Sequence, residues 1–216
     1  MSQAVLHSYY RSSTSFRVRI ALAMKGIGYR YEAHHLRHGE HREAPYLAVN
    51  PQGLVPALFW TDGTLLLQSL AIIEFLDETV PDPPLLPADP HGRARVRMLS
   101  QMIACDLHPV NNLRVLTSLR VLFGAGDDDI TNWFRHWVSE TFEPLERMLA
   151  DSPDTGTFCH GERPGLADIC LAAQVKSNQR FGVDMTPFPI IRRIADTALA
   201  LPAFMEAAPE NQPDAE

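Results

Sequence analysis

Four of the eight residues in Val80-Pro81-Asp82-Pro83-Pro84-Leu85-Leu86-Pro87 are proline, and this run constrains the chain more than any other stretch. Proline lacks the N–H that a helix interior or a central strand needs, and its ring clashes with the preceding turn, so no regular element crosses the segment. The sequence is thereby divided into a first domain over residues 1–80, a linker over 81–89 and a second domain over 90–216.

Ahead of the linker the pattern alternates. Ala4 to Tyr9 reads as a strand, and the hydroxyl cluster after Arg11 (Ser12-Ser13-Thr14-Ser15) is suited to capping a helix from Phe16 to Lys25, which Gly26 stops. Tyr29 to Leu36 reads as a second strand, and His38 to Tyr46 as a polar loop or weak helix. A third strand starts at Pro56, and the Asp62-Gly63 pair between Ala57–Trp60 and Leu65–Leu67 signals a hairpin. Ser69 is then expected to cap a helix from Leu70 to about Thr79, completing a small α/β unit. Beyond the linker the periodicity is helical throughout: Pro90 to Leu122, Asp127 to about Ala150, Leu166 to about Phe181, Pro189 to about Leu201, and a short piece from Pro202. Asp168 follows Gly165 by three residues, where its carboxylate can accept the N–H of a glycine N-cap. The fold class is thus α/β plus all-α, with the tail from Pro209 to Glu216 expected to be disordered.

Charge and cysteine content exclude several functions. With 19 basic and 26 acidic side chains the formal net charge is −7, against the clustered excess base of a nucleic-acid binder. No stretch approaches the about 18 uninterrupted apolar residues of a membrane span, and residues 1–18 hold no apolar run of signal-peptide length, so a cytoplasmic protein is expected. Cys105, Cys159 and Cys170 include no C-x-x-C pair, so any thiol chemistry must borrow its sulfur from a cofactor. Cys105 and Cys170, on expected helices among apolar neighbours, read as inert.

Two expected helix starts in the first domain carry polar side chains, Ser12 to Ser15 and Gln68-Ser69, and helix N-termini stabilise anions. Each alone is an ordinary cap. Together, with Val55 expected to present an extended backbone edge and a proline at position 56 whose isomer the sequence leaves open, they would make a groove for a small peptide carrying a thiolate and an α-carboxylate. A metal site among His34, His35, His38 and His41 is not expected: a strand would send His34 and His35 to opposite faces, and no cysteine or paired carboxylate completes a tetrahedral set. Trp133, Phe134 and Trp137 are read as core packing, and Asp127 to Asp129 as a charged helix start.

The run from Ser12 to Leu22 (SSTSFRVRIAL) resembles the S-S-C-S-x-R-V-R-I-A-L signature of zeta-class glutathione transferases, the class that contains maleylacetoacetate isomerase. Asn50-Pro51, Val55-Pro56, Gln68-Ser69 and the Gly165 to Asp168 box match as well, and the likeness runs from Ala4 to about Pro213. Thr14 stands where many members have cysteine. That departure, with the segments from Cys105 to Asn112 and from Val183 to Pro189, looks closest to the bacterial branch acting on maleylpyruvate.

The resemblance implies a thioredoxin-like domain followed by a helical bundle, glutathione as cofactor, a homodimer, and cis-trans isomerisation of a maleyl keto-dicarboxylate. It further implies that Ser12, Ser13, Thr14, Ser15, Phe16 and Arg17 form the floor beneath the glutathione sulfur, Thr14 above all. Val55 would bind the cysteinyl backbone, Gln68 and Ser69 the γ-glutamyl carboxylate, and His41 and Gln52 the glycyl end. His108, Asn112 and Leu113 would line the cofactor and substrate site. Arg11, placed beside the catalytic hydroxyls, and Arg114 and Arg180 are the arginines expected to bind the two substrate carboxylates. The rival readings are a transferase that consumes one glutathione per turnover, and an interaction module that has lost its cofactor.

Overall fold

A computed structural model describes residues 3–216, so the first two positions of the expected first domain lie outside the described residues. The chain forms two compact units, one taking residues up to Leu85 together with Ala200–Glu216, the other Leu86–Leu199.

The first unit is built on a four-stranded sheet of order β2-β1-β3-β4, from β1 (Ala4–Ser8), β2 (Tyr29–Ala33), β3 (Ala57–Phe59) and β4 (Leu65–Leu67). β1 runs parallel to β2 and antiparallel to β3, and β3 pairs antiparallel with β4 across the expected hairpin. Alternation along β1 turns Ala4, Leu6 and Ser8 to the fully buried face, and leaves Val5 and His7 half-buried on the other. Ser8 meets Arg19 of α1 (Ser13–Met24), which packs against α3 (Ser69–Thr79). His7 instead lies 5.7 Å, ring to ring, from Tyr46 of α2 (Ala44–Val49). The loop expected from His38 to Tyr46 thus contains a short 3₁₀ turn, Glu40–Arg42, and the start of α2.

In the second unit the helices are α4 (Pro90–Gln101), α5 (His108–Val110), α6 (Leu113–Phe123), α7 (Asp127–Asp151), α8 (Leu166–Arg180) and α9 (Pro189–Leu199). α7 turns Ile130, Phe134, Val138, Phe142, Leu145 and Leu149 inward at helical spacing. Phe134 stacks on Phe181 at 3.8 Å, whereas Trp133 and Trp137 are only half-buried. The expected box forms: Asp168 accepts the N–H of Gly165 and of Cys159, both at 2.8 Å.

Three expectations are corrected. The single helix from Pro90 to Leu122 is broken: Met102–Leu107 is wound as π-helix, and the chain leaves the helix at Asn111 before α6 begins. Pro109 removes an N–H and crowds the turn before it, which favours such widening. Cys105 lies in that segment and is exposed rather than packed among apolar neighbours. The tail is ordered and joins the first unit: α10 (Pro202–Ala207) packs on α1, a 3₁₀ turn follows at Pro209–Asn211, and Asp214 is hydrogen-bonded to Tyr10 and Tyr31. Among the described residues no helix is long and apolar enough to cross a membrane.

Candidate functional site

The start of α1 is organised by hydroxyls. Ser12 is its N-cap and accepts the Ser15 N–H at 3.2 Å, satisfying one of the donors that a first helical turn leaves without an internal carbonyl. The Thr14 hydroxyl donates to the Val55 carbonyl at 2.9 Å, and Ser12 Oγ lies 2.9 Å from Thr14 Oγ1. Because a carbonyl only accepts, the Thr14 proton is committed, and the Ser12 proton completes a relay from Ser12 through Thr14 to Val55. Ser13 and Arg11 flank this relay, half-buried, with the Arg11 guanidinium 6.0 Å from the centre of the Tyr10 ring.

The helix phase corrects part of the expected floor. Ser15 and Phe16 are 0% and 1% exposed and point into the core, since only one side of α1 faces outward at its start. Arg17 is also buried, its guanidinium reaching Ser69 Oγ at 3.5 Å, so it acts on the start of α3 from beneath.

Ser69 is the first residue of α3 rather than its cap; the cap position belongs to Gln68, which makes no side-chain capping bond. Gln68 is the one non-glycine residue with positive φ among the described residues, at 72°. Such backbone costs about 1–3 kcal/mol and recurs where a ligand is clamped. Its side chain projects outward and donates to Gln52 Oε1 at 3.1 Å. The Gln52 loop is held by Asn50, whose amide oxygen accepts the Gln52 N–H and whose amide nitrogen donates to the Leu54 carbonyl. The Tyr46 hydroxyl donates to the same carbonyl at 2.6 Å. Gly53 has φ 57°, and a Cβ there would come within 2.9 Å of the His41 carbonyl, so this loop can pass the 3₁₀ turn only as glycine. The Val55–Pro56 bond is cis, as is Asp82–Pro83. His41 is half-buried, and burial and the neighbouring Arg42 hold its imidazole below the usual range. The structure thus gathers Ser12, Ser13, Thr14, Val55, Gln52, Gln68 and Ser69 in one unit, with Arg11 and His41 flanking.

The remaining expected residues belong to the second unit. Asn112 caps α6 by accepting the Arg114 N–H at 3.1 Å, and its Nδ2 lies 3.2 Å from His108 Nε2. That assignment makes the amide the donor and places the neutral His108 proton on Nδ1. Leu113 is 42% exposed and Arg114 lies on the surface. Arg180 ends α8, exposed, with a 2.9 Å bond to Ser177. In the sequence Asn50 stands out only through the Asn50-Pro51 match and Tyr46 only as the end of a segment, yet both side chains fix the loop by donating to the Leu54 carbonyl.

Residues 11–79 match the family model for the glutathione S-transferase N-terminal domain. The chain is 47% identical to a maleylacetoacetate isomerase of Pseudomonas aeruginosa over 97% of both chains. A holo structure of a maleylpyruvate isomerase, described as a bacterial zeta-class glutathione transferase, superposes with a TM-score of 0.96 at 47% identity, covering 98% of this chain and all of the other. A maleylacetoacetate isomerase structure from Methylobacterium extorquens with bound malonate and glutathione gives a TM-score of 0.95 at 40% identity, covering 98% and 99%.

Proposed function

Because this chain belongs to the maleylacetoacetate isomerase family of zeta-class glutathione transferases, we propose that it isomerises a maleyl keto-dicarboxylate from cis to trans with glutathione as recyclable catalyst, maleylpyruvate before maleylacetoacetate. The observation that carries the proposal is the polar relay at the start of α1, facing the same loop and α3 start that a γ-glutamyl tripeptide would need.

The donor set fits glutathione. Two helix N-termini, α1 and α3, favour its thiolate and its γ-glutamyl carboxylate respectively, and the buried Arg17 beneath Ser69 adds positive potential at the second. Gln68 and Ser69 are assigned the γ-glutamyl carboxylate, the Val55 backbone the cysteinyl unit, and His41 and Gln52 the glycyl end. The Val55 carbonyl has two lone pairs, so it can accept a ligand N–H while keeping its bond from Thr14. When bound, glutathione supplies a thiolate whose reversible addition turns the substrate double bond into a rotatable single bond.

The protein's task at that sulfur is to stabilise negative charge, and Ser12 is the less costly donor. Turning its hydroxyl outward breaks one bond, to Thr14, and leaves its oxygen still accepting from Ser15; turning Thr14 outward releases the Val55 carbonyl. A charge-assisted bond is worth about 1.5–3 kcal/mol, enough to lower a thiol pKa by about one to two units. By the family likeness Arg11 in the first unit and Arg114 and Arg180 in the second are assigned the substrate carboxylates, and His108, Asn112 and Leu113 contacts to cofactor and substrate. Malonate, bound with glutathione in a relative, is itself a dicarboxylate. A cytoplasmic homodimer belongs to the same reading and rests on the family likeness.

The test is a spectroscopic assay of both maleyl acids with and without glutathione, with free thiol titrated at the end. Isomerisation that needs glutathione and leaves its concentration unchanged is expected. Stoichiometric thiol loss would identify a conjugating transferase instead.

A further inference from the structure

β2 ends at Ala33, so His34 and His35 are not fixed on opposite faces of a strand, and the tail brings in the carboxylate that the local sequence lacks. We propose that the imidazoles of His35 and His38 and the carboxylate of Glu216 form a site for a divalent cation of the zinc class, which fastens the C-terminal segment to the loop after β2.

One ligand atom from each of the three side chains lies within 4.8 Å of the others. A tetrahedral ion with bonds near 2.0–2.2 Å holds its ligand atoms roughly 3.3–3.5 Å apart, so closing the site takes about an ångström of approach, and, because the two imidazoles now stack within 20° of parallel, a rotation of His38 that aims a ring nitrogen at the ion. His38 and Glu216 are both exposed and can supply it. His35 is the fixed member: its side chain is 12% exposed and the Tyr9 ring meets its edge at 4.8 Å. Its Nε2 is already 3.2 Å from Glu216 Oε1.

The protons balance simply. In the neutral ring Nδ1 accepts the His38 N–H at 3.2 Å, which leaves the proton on Nε2, facing the carboxylate and the Tyr9 hydroxyl oxygen 3.4 Å away, which an ion at Nε2 would turn aside. A cation at Nε2 takes the place of that proton; the ring proton moves to Nδ1, and the His38 N–H, on an exposed turn, turns to solvent. Two imidazoles and one carboxylate select a borderline ion such as zinc over magnesium or calcium, which prefer all-oxygen sets, and water fills the remaining position. Asp214, two residues before Glu216, already binds Tyr10 and Tyr31, so the ion would close a second attachment of the same segment.

The experiment uses the full chain, freed of metal and kept without glutathione, whose thiol competes for zinc. Zinc chloride and magnesium chloride are titrated by calorimetry and by thermal melting into the wild type, His38→Ala and Glu216→Gln. Zinc is expected to bind the wild type at one site and raise its Tm by a few degrees, while magnesium does neither. Each variant should bind zinc at least about tenfold more weakly and lose most of the Tm rise, with glutathione binding in metal-free buffer unchanged. Cobalt in place of zinc should give the visible absorption of a tetrahedral ion in the wild type alone. Equal zinc binding by wild type and both variants, or no binding by the wild type, would overturn the proposal.

Discussion

At the scale of single residues, Ser12 and Thr14 are neighbours with different duties. Ser12→Ala removes the outward donor together with the N-cap, so the pKa of the bound glutathione thiol should rise by about one unit and stability should fall by about 1 kcal/mol. Thr14→Val, close to isosteric, loses the bond to Val55 and should weaken glutathione binding while leaving the thiol pKa within a few tenths of a unit. Thiolate absorbance followed against pH in the two complexes separates the cases, and an equal rise in both would hand the sulfur to Thr14. A second residue-scale effect is acid lability. Burial, aided by His34 and Arg30, lowers the His7 pKa from 6.5 to about 4, and His7 Nδ1 sits 2.8 Å from His34 Nε2. The unfolded chain therefore takes up a proton near pH 6.5 while the native imidazole resists until about 4. Its contribution to stability is complete above that window and is lost as pH falls through it. Tm should drop between pH 6.5 and 4, and His7→Gln should flatten the drop; a profile identical to wild type would show that other groups govern it.

At the scale of elements, what the sequence makes legible depends on whether a signal is local. The proline run, the Asp62-Gly63 hairpin and the Gly165-Asp168 box are local devices, and each appears where its residues stand. The break at Asn111-Asn112 was not legible, because Pro90 to Leu122 keeps an apolar helical period while one proline and one buried amide decide otherwise; Asn111 Nδ2 donates to the Phe134 carbonyl on α7 at 3.1 Å. The site shows the same division. Its motif is a contiguous string, but a helix exposes only part of a string, and which part depends on what packs behind α1; hence Ser15, Phe16 and Arg17 turn inward. Gln68 at positive φ carried no sequence signal, since glycine or asparagine is the usual occupant of such backbone. The break makes α6 dependent on its own cap. Asn112→Ala should cost about 1 kcal/mol and lower Tm by about 2–4 °C, while removing the amide hydrogen bond that orients the His108 ring. Asn112→Asp, which keeps the capping oxygen but not the amide donor, should restore Tm without restoring that orientation, observable as changed His108 ring-proton and ring-nitrogen chemical shifts by NMR.

At the scale of the whole molecule, the last residues of the chain support its first functional turn. Tyr9 and Tyr10 lead directly into Arg11 and Ser12, and two groups hold their backbone. The buried Arg19 guanidinium donates to the carbonyls of Tyr9 at 3.3 Å and Tyr10 at 3.0 Å, and also to Ala207 at 2.9 Å in α10. Asp214 accepts the Tyr10 N–H at 3.0 Å and the Tyr31 hydroxyl at 2.7 Å. A buried guanidinium is tolerable only when its donors are satisfied, so the tail is part of what makes Arg19 stable in the core. The native sheet unit is thus completed by residues about two hundred positions after β1. Asp214→Ala removes both acceptor oxygens, and with them the bonds from the Tyr10 N–H and the Tyr31 hydroxyl, a cost of about 1.5–3 kcal/mol for each by the usual worth of a charged hydrogen bond. Because the loss falls on the segment that positions Ser12, glutathione affinity should decline with stability. Tyr31→Phe removes only the hydroxyl side of the clamp, leaving Asp214 on the Tyr10 N–H, and should lower Tm with little change in glutathione binding. Calorimetric melting and glutathione titration of the two variants side by side test this; matching losses of affinity in both would mean that the tail acts through global stability and not through the Tyr10 backbone.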